Sequence, residues 1–152
     1  MWLRRAAVAL LLSAGVIAAA AQPAAADAGG TGSIVGHWAT AVTINGGAPS
    51  TVELIFFSSH VMEIEGPTNA NGDPAYVGLG LWSQTSGGAF SFQVVHPLPD
   101  ANGNLLGFIH GTQQGQVSGD TFSSSGLAYL YQTDGTVAGP NSVTMTGVRN
   151  AG

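Results

Sequence analysis

Four histidines, His37, His60, His96 and His110, and two closely spaced acids, Glu63 and Glu65, are the side chains of this chain best suited to chemistry. No His-x-His, His-x-x-x-His or His–carboxylate cluster occurs, so no local segment supplies a set of metal ligands. His96 and His110 are expected on one face of a hairpin. A hairpin register that pairs His110 near Ser91 separates them by about five residues, roughly 17 Å, too far to grip one ion. Each therefore reads as a hydrogen-bonding wall or rim residue of a pocket. Glu63 and Glu65, as i and i+2 neighbours on a strand, could form a carboxylate pair with one raised pKa. They alternate with His60, Met62 and Ile64, however, which assigns the acids to the solvent face. Turned inward, they would equip an acid–base cyclase or isomerase, with Tyr76, Tyr129 and Tyr131 as proton donors.

Other catalytic patterns are missing. The chain has no Gly-x-Ser-x-Gly elbow, no cysteine and no lysine, which removes thiol nucleophiles and Schiff-base chemistry. "GLGLW", Gly78 to Trp82, lacks the third glycine and the following helix of a dinucleotide site, so its glycines relieve crowding or bend a strand. "DANGN", Asp100 to Asn104, begins like a calcium loop, but Leu105 stands where the glycine belongs and Gly111 where the bidentate Glu belongs. It reads as a hairpin turn. No catalytic residue, metal or cofactor is assigned.

The elements that must position these residues begin after an expected leader. "MWLRR", an Ala-rich apolar run and "PAAADA" make residues 1–26 a signal peptide cleaved near Ala26, so the product is expected to be secreted and free of a membrane anchor. Residues 27–34 are expected to be a flexible Gly-rich segment and residues 35–150 one domain. Arg4 and Arg5 leave with the leader, so the formal charge of −5 becomes −7, with Arg149 the only cation. Such a surface repels phosphate backbones, which excludes nucleic acid as a partner class.

Glycine, threonine, serine, valine and aromatics dominate the rest, and no apolar period of 3.6 residues is sustained after residue 30. Strands are predicted at 36–44, 50–57, 60–65, 75–84, 88–96, 105–117, 121–132 and 141–149, joined by turn-forming runs such as "NGG", "TSGG" and "SGD". Eight strands on short connections form an up-and-down meander, which removes its exposed edges by closing into an all-β antiparallel barrel.

Closure of an even number of strands brings the start of the first beside the end of the last, so Trp38 is expected to meet Arg149. Gly36-His37-Trp38 on the first strand and an arginine ending the last resemble the signature of the calycin superfamily, the lipocalins, fatty-acid-binding proteins and avidins. Barrels like allene oxide cyclase or the dirigent proteins are the second choice, and a β-sandwich is the further alternative. The lipocalin "TDY"-like motif and disulfide, and the avidin side-chain set, have no counterpart in this sequence. What the resemblance implies is a barrel with a cup-like pocket, without a named ligand.

Alternation assigns Trp38, Thr40, Val42 and Ile44, then Val52, Leu54 and Phe56, then His60, Met62 and Ile64 to the interior, followed by Phe90, Phe92, Val94 and His96, and by Leu106, Phe108 and His110. Gly78 and Gly80 are expected to thin the wall beside Trp82. The expected site for a small, mostly apolar, uncharged ligand comprises Met62, Trp82, Phe90, Phe92 and Phe108, with His96 and His110 giving polar orientation. The alternatives are the cyclase above and a structural or interaction protein with a filled barrel. Apolar residues on the opposite faces, Ile55, Phe57, Val95, Leu105 and Ile109, lead us to expect a homo-oligomer formed through an outer sheet face.

Overall fold

The structure is a computed structural model that describes residues 32–151, and the regular elements among them are all β-strands. The expected leader, its cleavage near Ala26 and the segment before Gly32 lie outside the described residues. β1 (Gly36–Ile44), β2 (Ser50–Phe56), β3 (Val61–Glu65), β4 (Val77–Gln84), β5 (Ala89–Pro99), β6 (Leu105–Ser118), β7 (Thr121–Gln132) and β8 (Val137–Arg149) run antiparallel to their neighbours. β8 pairs with β1 and closes the barrel, leaving no free edge among them.

Local chemistry makes the turns. Asn45 and Gly46 have φ of 49° and 70° and the amide of Gly47 donates to the carbonyl of Ile44 at 2.9 Å, the left-handed hairpin turn whose twist matches that of its strands. At the β5–β6 hairpin one carboxylate oxygen of Asp100 accepts the amides of Asn102 and Asn104 at 2.8 and 2.9 Å, so "DANGN" is a turn held by its aspartate. Those bonds hold the Asp100 carboxyl below its usual pKa.

One end of the barrel, which carries the β2–β3, β4–β5 and β6–β7 turns, is plugged. Ile34 is fully buried there, although the sequence places it in the flexible segment. The side-chain oxygen of Gln84 accepts its amide at 2.9 Å, and its carbonyl accepts the Trp38 indole at 2.7 Å. Above this plug the interior is aromatic. Trp38 meets Phe122 edge-on at 5.2 Å, and Phe56 meets Phe92 at 5.6 Å. Glycines make room for these rings: a Cβ on Gly115 would lie 2.8 Å from Phe90 Cζ, and one on Gly147 would fall inside the Phe122 ring. Large and small side chains thus alternate between facing strands, as a narrow filled barrel requires.

Three expectations are corrected. β6 presents its other face: Gly111, Gln113, Gly115 and Val117 point inward, while Leu106, Phe108 and His110 are exposed. Phe90 pairs with Gly115 and Phe92 with Gln113, and those rings already occupy the interior, so the bulky residues of β6 turn out. His60 lies in the β2–β3 turn with φ of 66°, exposed and not inward. β8 starts at Val137 rather than 141 and β5 reaches Pro99, so β5 to β8 overhang the shorter strands at the unplugged end.

Candidate functional site

The structure separates the seven predicted site residues into three groups. Met62, Trp82, Phe90 and Phe92 face inward but are packed on one another and on Phe56, so they form core. The Trp82 indole donates to the carbonyls of Phe57 and Val61 at 2.9 and 3.1 Å, which ties it to the β2–β3 hairpin. Phe108 and His110 lie on the outer surface. Only His96 sits inside and near the unplugged end, at 9% exposure.

The surroundings of His96 are specific. Its ring stacks on Tyr76 with centroids 4.2 Å apart and planes 9° from parallel. Its Nδ1 lies 2.8 Å from the Pro97 carbonyl, a pure acceptor, so Nδ1 carries the proton and Nε2 keeps a lone pair. Burial lowers the His96 pKa, with the bond to Pro97 opposing it, and favours the neutral ring. Burial also raises the pKa of Tyr76, which stays a phenol. Tyr76 follows the β3–β4 loop and packs over Gly66, where a Cβ would lie 2.6 Å from its ring. Tyr76 lies just before β4 and not in the strand predicted from residue 75, and its stack on His96 of β5 is not encoded in either segment; the missing side chain at Gly66 is the one signal for a ring overhead.

The inner wall changes character beside this stack, where Ile109 pairs with His96 and Gly111 with Val94. Gly111, Ala128, Ile109 and Leu130 face inward on β6 and β7 and are only half-buried. A Cβ on Gly111 would meet one atom, Val94 Cγ1, at an ordinary 3.6 Å. Gly78 and Gly80 do not open space, contrary to the expectation. A Cβ on Gly78 would fall on His96 Cβ and the Val95 carbonyl, and one on Gly80 would meet Met62 Sδ at 2.8 Å and the Gln93 carbonyl. The buried Gln113, which the sequence left unassigned, accepts the Ser124 hydroxyl at 2.9 Å and donates to the Val143 carbonyl at 3.3 Å, a satisfied structural pair.

His110 pairs with Val95 and is therefore next to His96 in the sheet, not five residues away near Ser91. The two imidazoles are nonetheless on opposite faces of the wall and cannot share an ion. Glu63 and Glu65 lie outside, as the alternation required, with Glu53 directly opposite Glu65 on β2 and His37 Nδ1 2.9 Å from Glu53. Among the described residues no carboxylate enters the interior, so an acid–base pair of the cyclase type is not assembled there.

The outer face of β4 to β7 carries a cluster of exposed apolar side chains toward the unplugged end and uncharged polar ones beyond it. Leu79 and Leu81 are 59% and 57% exposed, with Val95, Leu127, Phe108 and Tyr129 around them. Two adjoining grooves of about 560 and 390 Å³ run between these rows and share Leu81, Gln93, Thr112 and Leu127.

Comparison with protein families, with curated proteins and with solved structures gives no match. The likeness to calycins consequently rests on the eight-stranded closed barrel and on Trp38 and Arg149.

Proposed function

We propose that this is a secreted, calycin-like barrel that binds a small, uncharged, mostly apolar molecule at its unplugged end. The observation that carries this reading is the change in the inner wall along the barrel axis, from interlocked aromatic rings to the open surface at Gly111. The His96–Tyr76 stack stands beside that surface as its polar element. A neutral imidazole with a free Nε2 lone pair accepts a hydrogen bond, so the favoured ligand is an apolar skeleton carrying one hydroxyl or N–H donor. Affinity would come from apolar burial at about 25 cal/mol per Å², reduced by the cost of ordering the ligand. The seat is thus displaced from the sequence-predicted residues Met62, Trp82, Phe90 and Phe92 toward the barrel mouth, with His96 common to both.

A thermal-shift series with neutral aromatic and aliphatic alcohols, 2-naphthol among them, tests the proposal. A ligand at one hundred times its Kd stabilises by about 2.7 kcal/mol, a rise of several degrees in Tm. Gly111→Leu should keep the fold, since the position has room, and abolish the shift by filling the seat. Failure of every alcohol to raise the wild-type Tm would overturn the reading and favour a structural barrel.

A further inference from the structure

The outer face of the same wall carries a second, independent feature. No Asp, Glu, Lys or Arg occurs in β4, β5, β6 or β7, and the outward side chains of these strands form cross-strand rows, two of them mainly apolar. One row runs Leu79, Val95, His110, Tyr129; the next runs Pro97, Phe108, Tyr131, Val137. Leu81, Gln93, Thr112 and Leu127 form a mixed row beside the first, and beyond it Ser83, Ser91, Gln114, Ser125 and Thr144 make a border of uncharged hydroxyls and amides. We propose that this face is the interface of a homodimer, in which two copies of the chain pack these apolar rows against each other about a two-fold axis.

Three observations select a second copy as the occupant. The first is charge. The chain is net acidic at −5, and like-charged copies repel wherever their acids approach, yet every acid of the described residues is off this face. Glu53, Glu63 and Glu65 lie on β2 and β3, while Asp73, Asp100, Asp120 and Asp134 lie in connections between strands. The second is the rim. A two-fold interface sets the same patch of each copy against the other, and Ser, Thr, Gln and Tyr both donate and accept, so any pairing of this border with itself can be satisfied. The third is area. Four strands spaced about 4.8 Å apart and nine residues of about 3.3 Å each span at most roughly 600 Å² per copy, since these strands wrap half the barrel; the ceiling of about 1,200 Å² in all meets the lower end for a specific interface.

The grooves beside Leu81 and Leu127 supply the relief into which the partner's rows insert, as in face-to-face packing of sheets about 10 Å apart. A membrane-spanning band is a poorer match for this surface. Such a band circles a barrel, whereas the apolar rows end at β8 and the acids of β2 and β3 occupy the opposite side.

Analytical ultracentrifugation of the secreted chain at 1 to 100 µM provides the test. The wild type is expected to sediment as a dimer at the upper end of that range. Leu79→Glu combined with Leu127→Glu should give a monomer whose Tm matches that of the wild type at dilutions where the wild type is also monomeric, because both side chains point away from the core. A wild type that stays monomeric at 100 µM, or a double variant that remains dimeric, overturns the proposal. Flotation of that monomer with phosphatidylcholine vesicles would assign the face to lipid instead. None of these outcomes depends on ligand binding inside the barrel.

Discussion

The guanidinium carbon of Arg149 lies 4.2 Å from the ring centroid of Trp38, on the paired residues that join the last strand to the first. The same side chain donates to the carbonyls of Val35 and Ser33 at 2.7 and 2.6 Å and to Asp120 at 3.1 Å. One arginine thereby ties the incoming segment, the β6–β7 turn and the closing strand pair together over the plugged end. Its five donors in a fixed fork suit it to this task, where a lysine would serve one partner at a time.

Removing either member of this pair should destabilise the barrel. Trp38 is fully buried, so Trp38→Ala should cost about 3–5 kcal/mol, and Arg149→Ala about 1–2 kcal/mol. In a double-mutant cycle read by urea unfolding the coupling should reach about 0.5 kcal/mol or more. Strictly additive losses would mean that the ring and the guanidinium act separately.

The inward glycines should divide into two kinds. Gly78→Ala would push a methyl onto His96 Cβ and the Val95 carbonyl, atoms fixed by the sheet, and should cost about 1–3 kcal/mol. Gly111→Ala should stay within about 1 kcal/mol of wild type and can stabilise, because it meets only Val94 at 3.6 Å and stiffens the unfolded chain. Equal losses at both positions in denaturant melts would contradict the open wall at Gly111.

These two glycines also show what the sequence could and could not reveal. Turn residues such as Asn45-Gly46 and alternation such as Trp38, Thr40, Val42 are local, and they sufficed for eight strands, closure and the Trp38–Arg149 contact. Whether a glycine leaves a hole or admits a neighbour depends on the facing strand, which local pattern does not encode. β6 failed for the same reason. Its inner face holds glycines and Gln113 because Phe90 and Phe92 arrive from β5, so apolarity alone pointed the strand the wrong way. Of the candidate site only His96 was legible, since its partners come from the β3–β4 loop and from β6 and β7.

Glu65 should be a mild liability. Its pKa is raised by desolvation first, then by Glu53 directly opposite and by Glu63 two residues before it. A raised carboxyl pKa means the charge is disfavoured in the fold, so the cost appears as pH rises above the ordinary value of 4.5. Glu65→Gln should therefore stabilise at pH 7 by a few tenths of a kcal/mol, the group being well solvated; the gain should vanish at pH 4 and, in 1 M salt, lose the part due to Glu53 and Glu63. Melting curves under the three conditions decide it.

His96 should give the barrel an acid-side weakness of opposite sign. Burial lowers its pKa from 6.5, so below that value the unfolded chain takes up a proton that the fold resists. Stability rises with pH wherever the unfolded state binds more protons; the contribution is therefore complete above about pH 6.5 and declines on acidification until the folded ring also protonates. The slope within that window cannot exceed about 1.4 kcal/mol per pH unit for one proton. Comparison of wild type with His96→Gln at each pH cancels the carboxylates common to both, leaving the imidazole alone. Their difference in unfolding free energy should be constant above pH 7 and shift against the wild type between pH 6.5 and 5. Protonation also converts Nε2 from acceptor to donor, so affinity for a ligand whose one polar group is an N–H donor, such as indole, should fall as the folded ring protonates in the wild type and not in His96→Gln. A pH-independent difference would show that His96 titrates as freely in the fold as in the unfolded chain, and that the stack on Tyr76 does not hold it neutral.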